Sequence, residues 1–238
     1  MLARSDARGH SESIAANVTL LVIVLAPVPE PDLFIADRYL AAADCAPAAA
    51  IIVRNKSDLP PGREMTDELS AYRRAGYEVL ECSAITGSGI EPLRNRLTAR
   101  TSLLAGQSGV GKSSLLRALV PDSLARVGEL MRAAEGRHTT TTTMLYMLPA
   151  GGELLDSPGV RDFAPALEFL ETRALGFVDI RRLASGCRFA DCRHFGEPDC
   201  AVRTAAGGDE LSARRYESYR RLRRMHDVYA KRRLNRSW

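Results

Sequence analysis

The stretch Gly106-Gln107-Ser108-Gly109-Val110-Gly111-Lys112-Ser113-Ser114 constrains the fold more than any other part of the chain, because it follows the apolar run Ser102–Ala105 and opens the helix-like run Lys112–Leu119. A glycine-rich turn that ends in Lys-Ser between a strand and a helix is the arrangement of a phosphate-binding loop. Gly106 and Gly111 let the backbone curl so that successive N–H groups face a polyphosphate, and the helix N-terminus adds its positive dipole end. In that arrangement Lys112 reaches the β- and γ-phosphates and the Ser113 hydroxyl ligates Mg2+. A glycine turn without a ligand is the plainer reading, and this context disfavours it.

Such a loop belongs to a parallel sheet covered by helices. Short β-branched runs recur at Val18–Leu25, Ala50–Arg54, Glu78–Cys82, Ser102–Ala105, Met144–Leu148 and Glu153–Asp156, with helix-like stretches at Pro31–Asp44, Thr66–Gly76, Gly89–Arg100 and Lys112–Leu119 between them. Strands alternating with helices predict an α/β fold with a mostly parallel sheet and helices on both faces. Thr66, Leu69 and Tyr72, and again Ile90, Leu93 and Leu97, have the spacing of one buried helix face. With 45% hydrophobic and 26% charged residues in 238, the chain is neither disordered nor collagen-like. Its longest apolar run, Val18 to Val28, is far short of the roughly 20 residues that span a bilayer. Met1 to Ser13 is polar and lacks the apolar core of a secretion signal, so a cytoplasmic protein without membrane contact is expected. After Phe163 the alternation stops and Cys, His and Gly accumulate, which places a boundary near residue 165. The expected organisation is a short N-terminal remnant (1–13), an α/β domain (14–165) and a small helical C-terminal domain (166–238).

Three further motifs sit at the carboxyl ends of expected strands, where open α/β sheets bind ligands. Asn55-Lys56-Ser57-Asp58 follows Ala50–Arg54. The Asp58 carboxylate can accept from guanine N1–H and the exocyclic amine, and a base without those donors would leave it unpaired at a cost of about 1–3 kcal/mol. Asn55 can brace neighbouring loops, and the methylene stem of Lys56 can cover the base. Cys82-Ser83-Ala84 ends the next strand and can bring a backbone N–H to the guanine O6. Asp156-Ser157-Pro158-Gly159 follows Glu153–Asp156, where Asp156 can hold Mg2+ through water and the Gly159 N–H can sense the γ-phosphate. Together these imply GTP and GDP as ligands. The base-recognition motifs come before the phosphate loop, the reverse of the regular GTPase order, and a circular permutation preserves the site because domain termini often lie close together.

Cys187, Cys192, His194 and Cys200 offer three thiolates and one imidazole within fourteen residues. This is a closed tetrahedral set suited to one structural Zn2+ rather than to catalysis. Buried free thiols beside a surface histidine are the alternative. From Ser212 to Trp238 the chain carries a net +8, and the remainder −4. Arg214, Arg215, Arg220, Arg221, Arg223, Arg224, Arg232 and Arg233 can bind the phosphates of a polyanion such as a nucleic acid, or form a solvated helix face in an arginine-rich chain with three lysines.

These residues, with Ile14-Ala15-Ala16-Asn17-Val18, Asp37-Arg38-Tyr39-Leu40, Arg137-His138 and Thr139–Thr142, and Arg215-Tyr216-Glu217-Ser218-Tyr219, resemble the circularly permuted ribosome-assembly GTPases of the RsgA (YjeQ) family. The resemblance implies a cytoplasmic GTPase in late maturation of the small (30S) ribosomal subunit, which contacts its rRNA and hydrolyses GTP faster there. It implies the same Cys/Cys/His/Cys metal site and places the Thr139–Thr143 run in the effector loop, with Thr141 meeting Mg2+ and the γ-phosphate. Regular GTPases often orient water with a Gln after the Asp-x-x-Gly element, but Val160 stands there. His138 is the candidate in its place, a solvent- or RNA-facing loop residue being the alternative. The family usually carries an OB-fold ahead of the GTPase domain, and the residues before Ile14 are too few for one. A monomer is expected. Two other readings stay open: a GTP-responsive rRNA-binding module with little turnover, and a P-loop ATPase or small-molecule kinase, which Asp58 opposes.

Overall fold

A computed structural model describes residues 2–5, 11–15, 17–46, 48–120, 144–156, 167, 170 and 174–234. Its centre is a six-stranded sheet built from β3 (Leu20–Leu25), β4 (Ala49–Arg54), β5 (Glu78–Glu81), β6 (Thr101–Ala105), β7 (Met144–Met147) and β8 (Glu153–Asp156), in the order β5-β4-β3-β6-β8-β7. Neighbouring strands pair in parallel except β7, which runs antiparallel along the edge beside β8.

The strand period of two decides which helix covers which face. On β3, Leu21, Ile23 and Leu25 pack with α1 (Leu33–Cys45) and α2 (Gly62–Arg74). The alternate residues Leu20, Val22 and Val24 pack with α3 (Ile90–Leu97) and α4 (Lys112–Leu119). Because β3 is buried on both faces its sequence is continuously apolar, as expected of a central parallel strand. Ile90, Leu93, Leu97, Leu69 and Tyr72 all face the core as their spacing predicts. Thr66 does not: it is exposed, and Met65, four residues before Leu69, takes the buried position; α2 also starts at Gly62, a turn earlier than the sequence suggests. The first residues contain β1 (Leu2–Ser5) and β2 (Ser11–Ala15), an antiparallel pair that the sequence reading did not foresee because neither segment shows strand-like alternation.

Beyond the sheet, α5 (Val178–Ala184), α6 (Ala201–Ala205) and α7 (Ala213–Leu234) surround a third apolar cluster that includes Phe177, Ile180, Val202, Leu211, Tyr219 and Leu222. Phe34 and Ala41 of α1 belong to the same cluster, so α1 packs against the sheet on one side and the C-terminal helices on the other.

A buried ionic network crosses that junction. Arg215, only 1% exposed, donates from Nη1 to Asp37 at 2.7 Å and grips Asp179 through Nε at 2.6 Å and Nη2 at 2.9 Å. Its guanidinium carbon lies 5.2 Å from the ring centres of both Tyr72 and Phe177. The Tyr72 hydroxyl donates to Asp37 at 2.9 Å, and burial, with the Asp37 charge next, raises the Tyr72 pKa well above its ordinary value, so it remains a neutral donor. Burial works against the Arg215 charge, but Asp37 and then Asp179 outweigh it and raise its pKa. Arg214 joins the network through Asp37 and Glu68. Of the C-terminal arginines considered for RNA, Arg214 and Arg215 are therefore bound internally, and Arg223 is buried with its guanidinium donating to the Tyr219 hydroxyl at 2.9 Å. They hold the fold and do not offer a face to RNA.

Removing one member of a buried ion network leaves its partners uncompensated, a loss of about 3–5 kcal/mol. Asp37→Ala is expected to lower unfolding stability by about that amount in urea denaturation. A change under about 1 kcal/mol would mean that the network contributes little.

Candidate functional site

The parallel register places the ends of β4, β5, β6 and β8 along one edge of the sheet, each followed by one of the sequence motifs. Backbone bonds knit the first two together: Cys82 N–H donates to Arg54 O at 2.9 Å, and Ser57 N–H donates to Cys82 O at 3.0 Å.

Asn55 joins three of these loops. It is 1% exposed, donates from Nδ2 to Val110 O at 2.9 Å and accepts from Ala84 N–H at 3.2 Å. Gly111 makes this approach possible, because a Cβ at that position would stand 2.3 Å from Asn55 Nδ2, and its φ of +94° is one that side-chain-bearing residues rarely adopt. Lys56, expected to lay its stem over the base, donates from Nζ to Val28 O at 2.7 Å and Gly109 O at 2.8 Å, which ties the glycine loop to the β3–α1 connection. Asp58 is exposed at the rim, and a hydrogen bond from the buried Ser83 side chain holds its carboxyl below the ordinary value. It is thus an ionised acceptor throughout the neutral range.

Within the glycine loop, Gly106 has a φ of +142° and sits against the Val24 carbonyl, where a Cβ would come within 2.3 Å. Lys112, buried at the start of α4, points its amine back over the loop to Gly106 O and, at 2.7 Å, Gln107 O. Ser108, Gly109 and Ser113 are exposed along the loop, while Val110 is buried and Ser114 partly so. A contact the sequence reading missed links Gln107 Oε1 to Asp32 N–H at 2.8 Å. Asp32 is the N-cap of α1, accepting from Phe34 N–H at 3.0 Å and Ile35 N–H at 3.2 Å. An aspartate just ahead of a helical run was the available signal for the cap, but nothing local to it announced Gln107. Asp156 closes β8, two strands from β3 on the same edge. His138, Thr141, Gly159 and Val160 lie outside the described residues.

The second cluster lies between α5 and α7. Cys187 Sγ is 3.6 Å from His194 Nδ1 and 3.9 Å from Cys200 Sγ, Cys200 Sγ is 3.5 Å from the same nitrogen, and with Cys192 all four ligand atoms fall within 4.8 Å of one another. A tetrahedral zinc with ordinary bond lengths requires about 3.8 Å between sulfurs and about 3.6 Å between sulfur and nitrogen. Burial, and the neighbouring Cys200 sulfur, push the Cys192 thiol up to about 12, so the set needs a cation to become thiolates together. The donor set therefore fits a closed divalent-metal site. Tyr216 and Tyr219 of α7 reach its loop, donating to His194 O at 2.6 Å and Arg193 O at 3.0 Å.

The family model RsgA GTPase matches residues 1–165. The chain belongs to the RsgA GTPase family. It is 45% identical over 227 residues to the small ribosomal subunit biogenesis GTPase RsgA of Chromohalobacter salexigens, and 43% identical over 225 residues to that of Pseudomonas fluorescens. Each match covers 93% of this chain and 66% of the relative, so the chain spans just under two thirds of the length of these relatives. Among solved structures, YjeQ from Thermotoga maritima superposes with a TM-score of 0.69 at 28% identity, covering 94% of this chain and 81% of that one. YloQ, a circularly permuted GTPase, gives 0.69 at 29% identity, covering 91% and 69%. The fold is that of a circularly permuted RsgA-family GTPase, mostly parallel α/β, followed by a region with a Cys/His cluster that fits zinc.

Metal analysis of the purified chain is expected to return about one zinc per molecule, and a chelator is expected to loosen α5 to α7, read as loss of protection in hydrogen exchange. Metal-free protein with unchanged protection in that region would overturn the assignment.

Proposed function

We propose that the chain binds and hydrolyses GTP and acts in late maturation of the small ribosomal subunit, binding its rRNA, with hydrolysis stimulated by the subunit and coupled to release. The observation that carries the reading is Asn55, which joins the base-recognition loop, the Ser83-Ala84 loop and the glycine loop in one hydrogen-bonded unit. Guanine recognition and phosphate binding are thereby set at a fixed separation, as one nucleotide requires. The names of the relatives, all small-subunit biogenesis GTPases, support turnover over a passive module.

In this reading, the site residues divide the work by position. Asp58 accepts from the guanine edge, Ser83 braces Asp58, and the loop of Ser83 and Ala84, held by Asn55, would bring its backbone to O6. The backbone from Gly106 to Gly111 cradles the phosphates, with Gln107, Ser108, Gly109, Val110 and Ser114 fixing the curl and the helix start. Lys112 leaves its loop carbonyls for the β- and γ-phosphates. Ser113, and Asp156 through water, are the residues that would hold Mg2+, which supplies charge neutralisation on the phosphate oxygens. Gly159 would sense the γ-phosphate, Thr141 would meet it with Mg2+, and His138 would orient water. Cys187, Cys192, His194 and Cys200 would hold a structural zinc. The boundary near residue 165, a cytoplasmic site of action and a monomeric state belong to the same proposal. Among the described residues no helix is long and apolar enough to cross a membrane.

Two measurements test the reading. Asp58→Asn is expected to lower GTP affinity by about tenfold or more, equivalent to the loss of about 1–3 kcal/mol, while ATP affinity stays low, which would erase most of the preference between them. An unchanged preference removes the base-recognition argument. Gly111→Ala, by displacing Asn55, is expected to weaken GTP and GDP alike in the same titration. GTP hydrolysis by the wild-type chain should rise with added small subunits, and a flat response over a wide range of subunit concentration would leave only a nucleotide-binding module.

A further inference from the structure

Building on the reading of this chain as an RNA-contacting factor, we propose that Arg38 of α1 and Arg221 of α7 form a seat for a backbone phosphate of RNA, assembled across the ring of Phe34. The two side chains come from elements 183 residues apart in sequence and meet at one aromatic ring, the Arg221 guanidinium carbon 3.9 Å and the Arg38 carbon 5.8 Å from its centroid. Phe34 is itself buried in the third apolar cluster.

What marks the pair is its contrast with the neighbouring arginines. On the same helix, Arg214, Arg215, Arg220 and Arg224 each hold a carboxylate. Among the described residues neither Arg38 nor Arg221 has an ion pair, and the buried Nε of Arg38 has no hydrogen-bond partner. Asp32, the acidic group that acts on Arg38, is occupied in capping α1. Burial, together with the nearby Arg221 charge, pulls the Arg38 pKa down from its ordinary value. Two cations held together at a partly desolvated ring gain from an oxyanion that bridges them, and guanidinium forks match phosphate oxygens in geometry.

The surroundings favour a linear polyanion over a single small one. Arg221, Arg224, Lys231 and Arg232 are exposed, and their spacings of three, seven and one place them along one face of α7. The stripe runs about 16 Å at the helical rise, long enough for several consecutive phosphates of a strand. Arg224 shares its charge with Glu217, so among the described residues the seat at Arg38 and Arg221 carries the unpaired charge at the start of that stripe.

The test is a salt titration of the full chain with a fluorescently labelled stem–loop RNA, followed by anisotropy between about 50 and 200 mM salt. Arg221→Gln changes an exposed side chain and should leave the fold intact; it is expected to weaken RNA binding about threefold. The double variant Arg38→Gln with Arg221→Gln is expected to lose about tenfold and to make the salt slope shallower by about one. The double Lys variant, which keeps both charges, is expected to retain the slope. Equal affinity and slope for wild type and both Gln variants would overturn the seat. So would efficient displacement of the RNA from wild type alone by inorganic phosphate, which would assign the pair to a free anion. GTP affinity is measured on the same samples: RNA binding that depends on these arginines in a chain without GTP affinity would defeat the nucleotide reading and leave the seat, whereas GTP binding with arginine-independent RNA binding would do the reverse.

Discussion

The site depends on the parallel alignment of β3 with β4 on one side and β6 on the other. Parallel pairing sends every strand in the same direction, so the loops after β4, β5, β6 and β8 all emerge at one edge. In an antiparallel sheet, alternate loops would emerge at opposite edges and the four motifs could not converge. That alignment requires crossover helices on both faces, which explains why β3 is apolar at every position and why the two apolar clusters divide its residues alternately. The order of the motifs along the chain becomes irrelevant to the site, since the sheet sorts them by strand position.

Convergence alone sets loops near one another without fixing their distances. That task falls to Asn55 and Lys56, both of which direct side-chain donors into the glycine loop. A buried amide that satisfies Val110 O on one side and the Ala84 N–H on the other is costly to displace, because either partner would be left unpaired. Gly111 is required for the same reason as much as for its backbone conformation.

The other fixed relation is between α1 and the C-terminal helices. Asp37 lies five residues beyond the α1 N-cap that Gln107 contacts, and it is held by Arg215, whose other grip is Asp179. The glycine loop, α1 and the region of the Cys/His cluster are thus joined by a continuous series of hydrogen bonds and packed helix turns. Burying this much charge is repaid only by close pairing, and each of the three Arg215 guanidinium nitrogens donates to a carboxylate.

Much of this was legible in the residues. Strand and helix positions followed from local periodicity, which the packing on both faces of β3 preserves. The glycine loop, Asn55 to Asp58 and the four metal-ligand candidates were found because their residue types and spacings are contiguous or nearly so. The misses have a common cause. The β1–β2 pair shows no alternating apolar pattern, and the start of α2 after Pro61 has no side-chain cap to announce it. The arginines of α7 looked interchangeable along the chain, and only three-dimensional neighbours separate Arg215, enclosed by carboxylates and rings, from Arg221, stacked on Phe34 and without an ion pair among the described residues. The sequence by itself determined the elements, the motif chemistry and the donor set for a metal. Tertiary structure decided which charges are spent inside and which side chains brace the loops, because those partners lie as far as 178 residues apart and no local pattern records what folding will bring together.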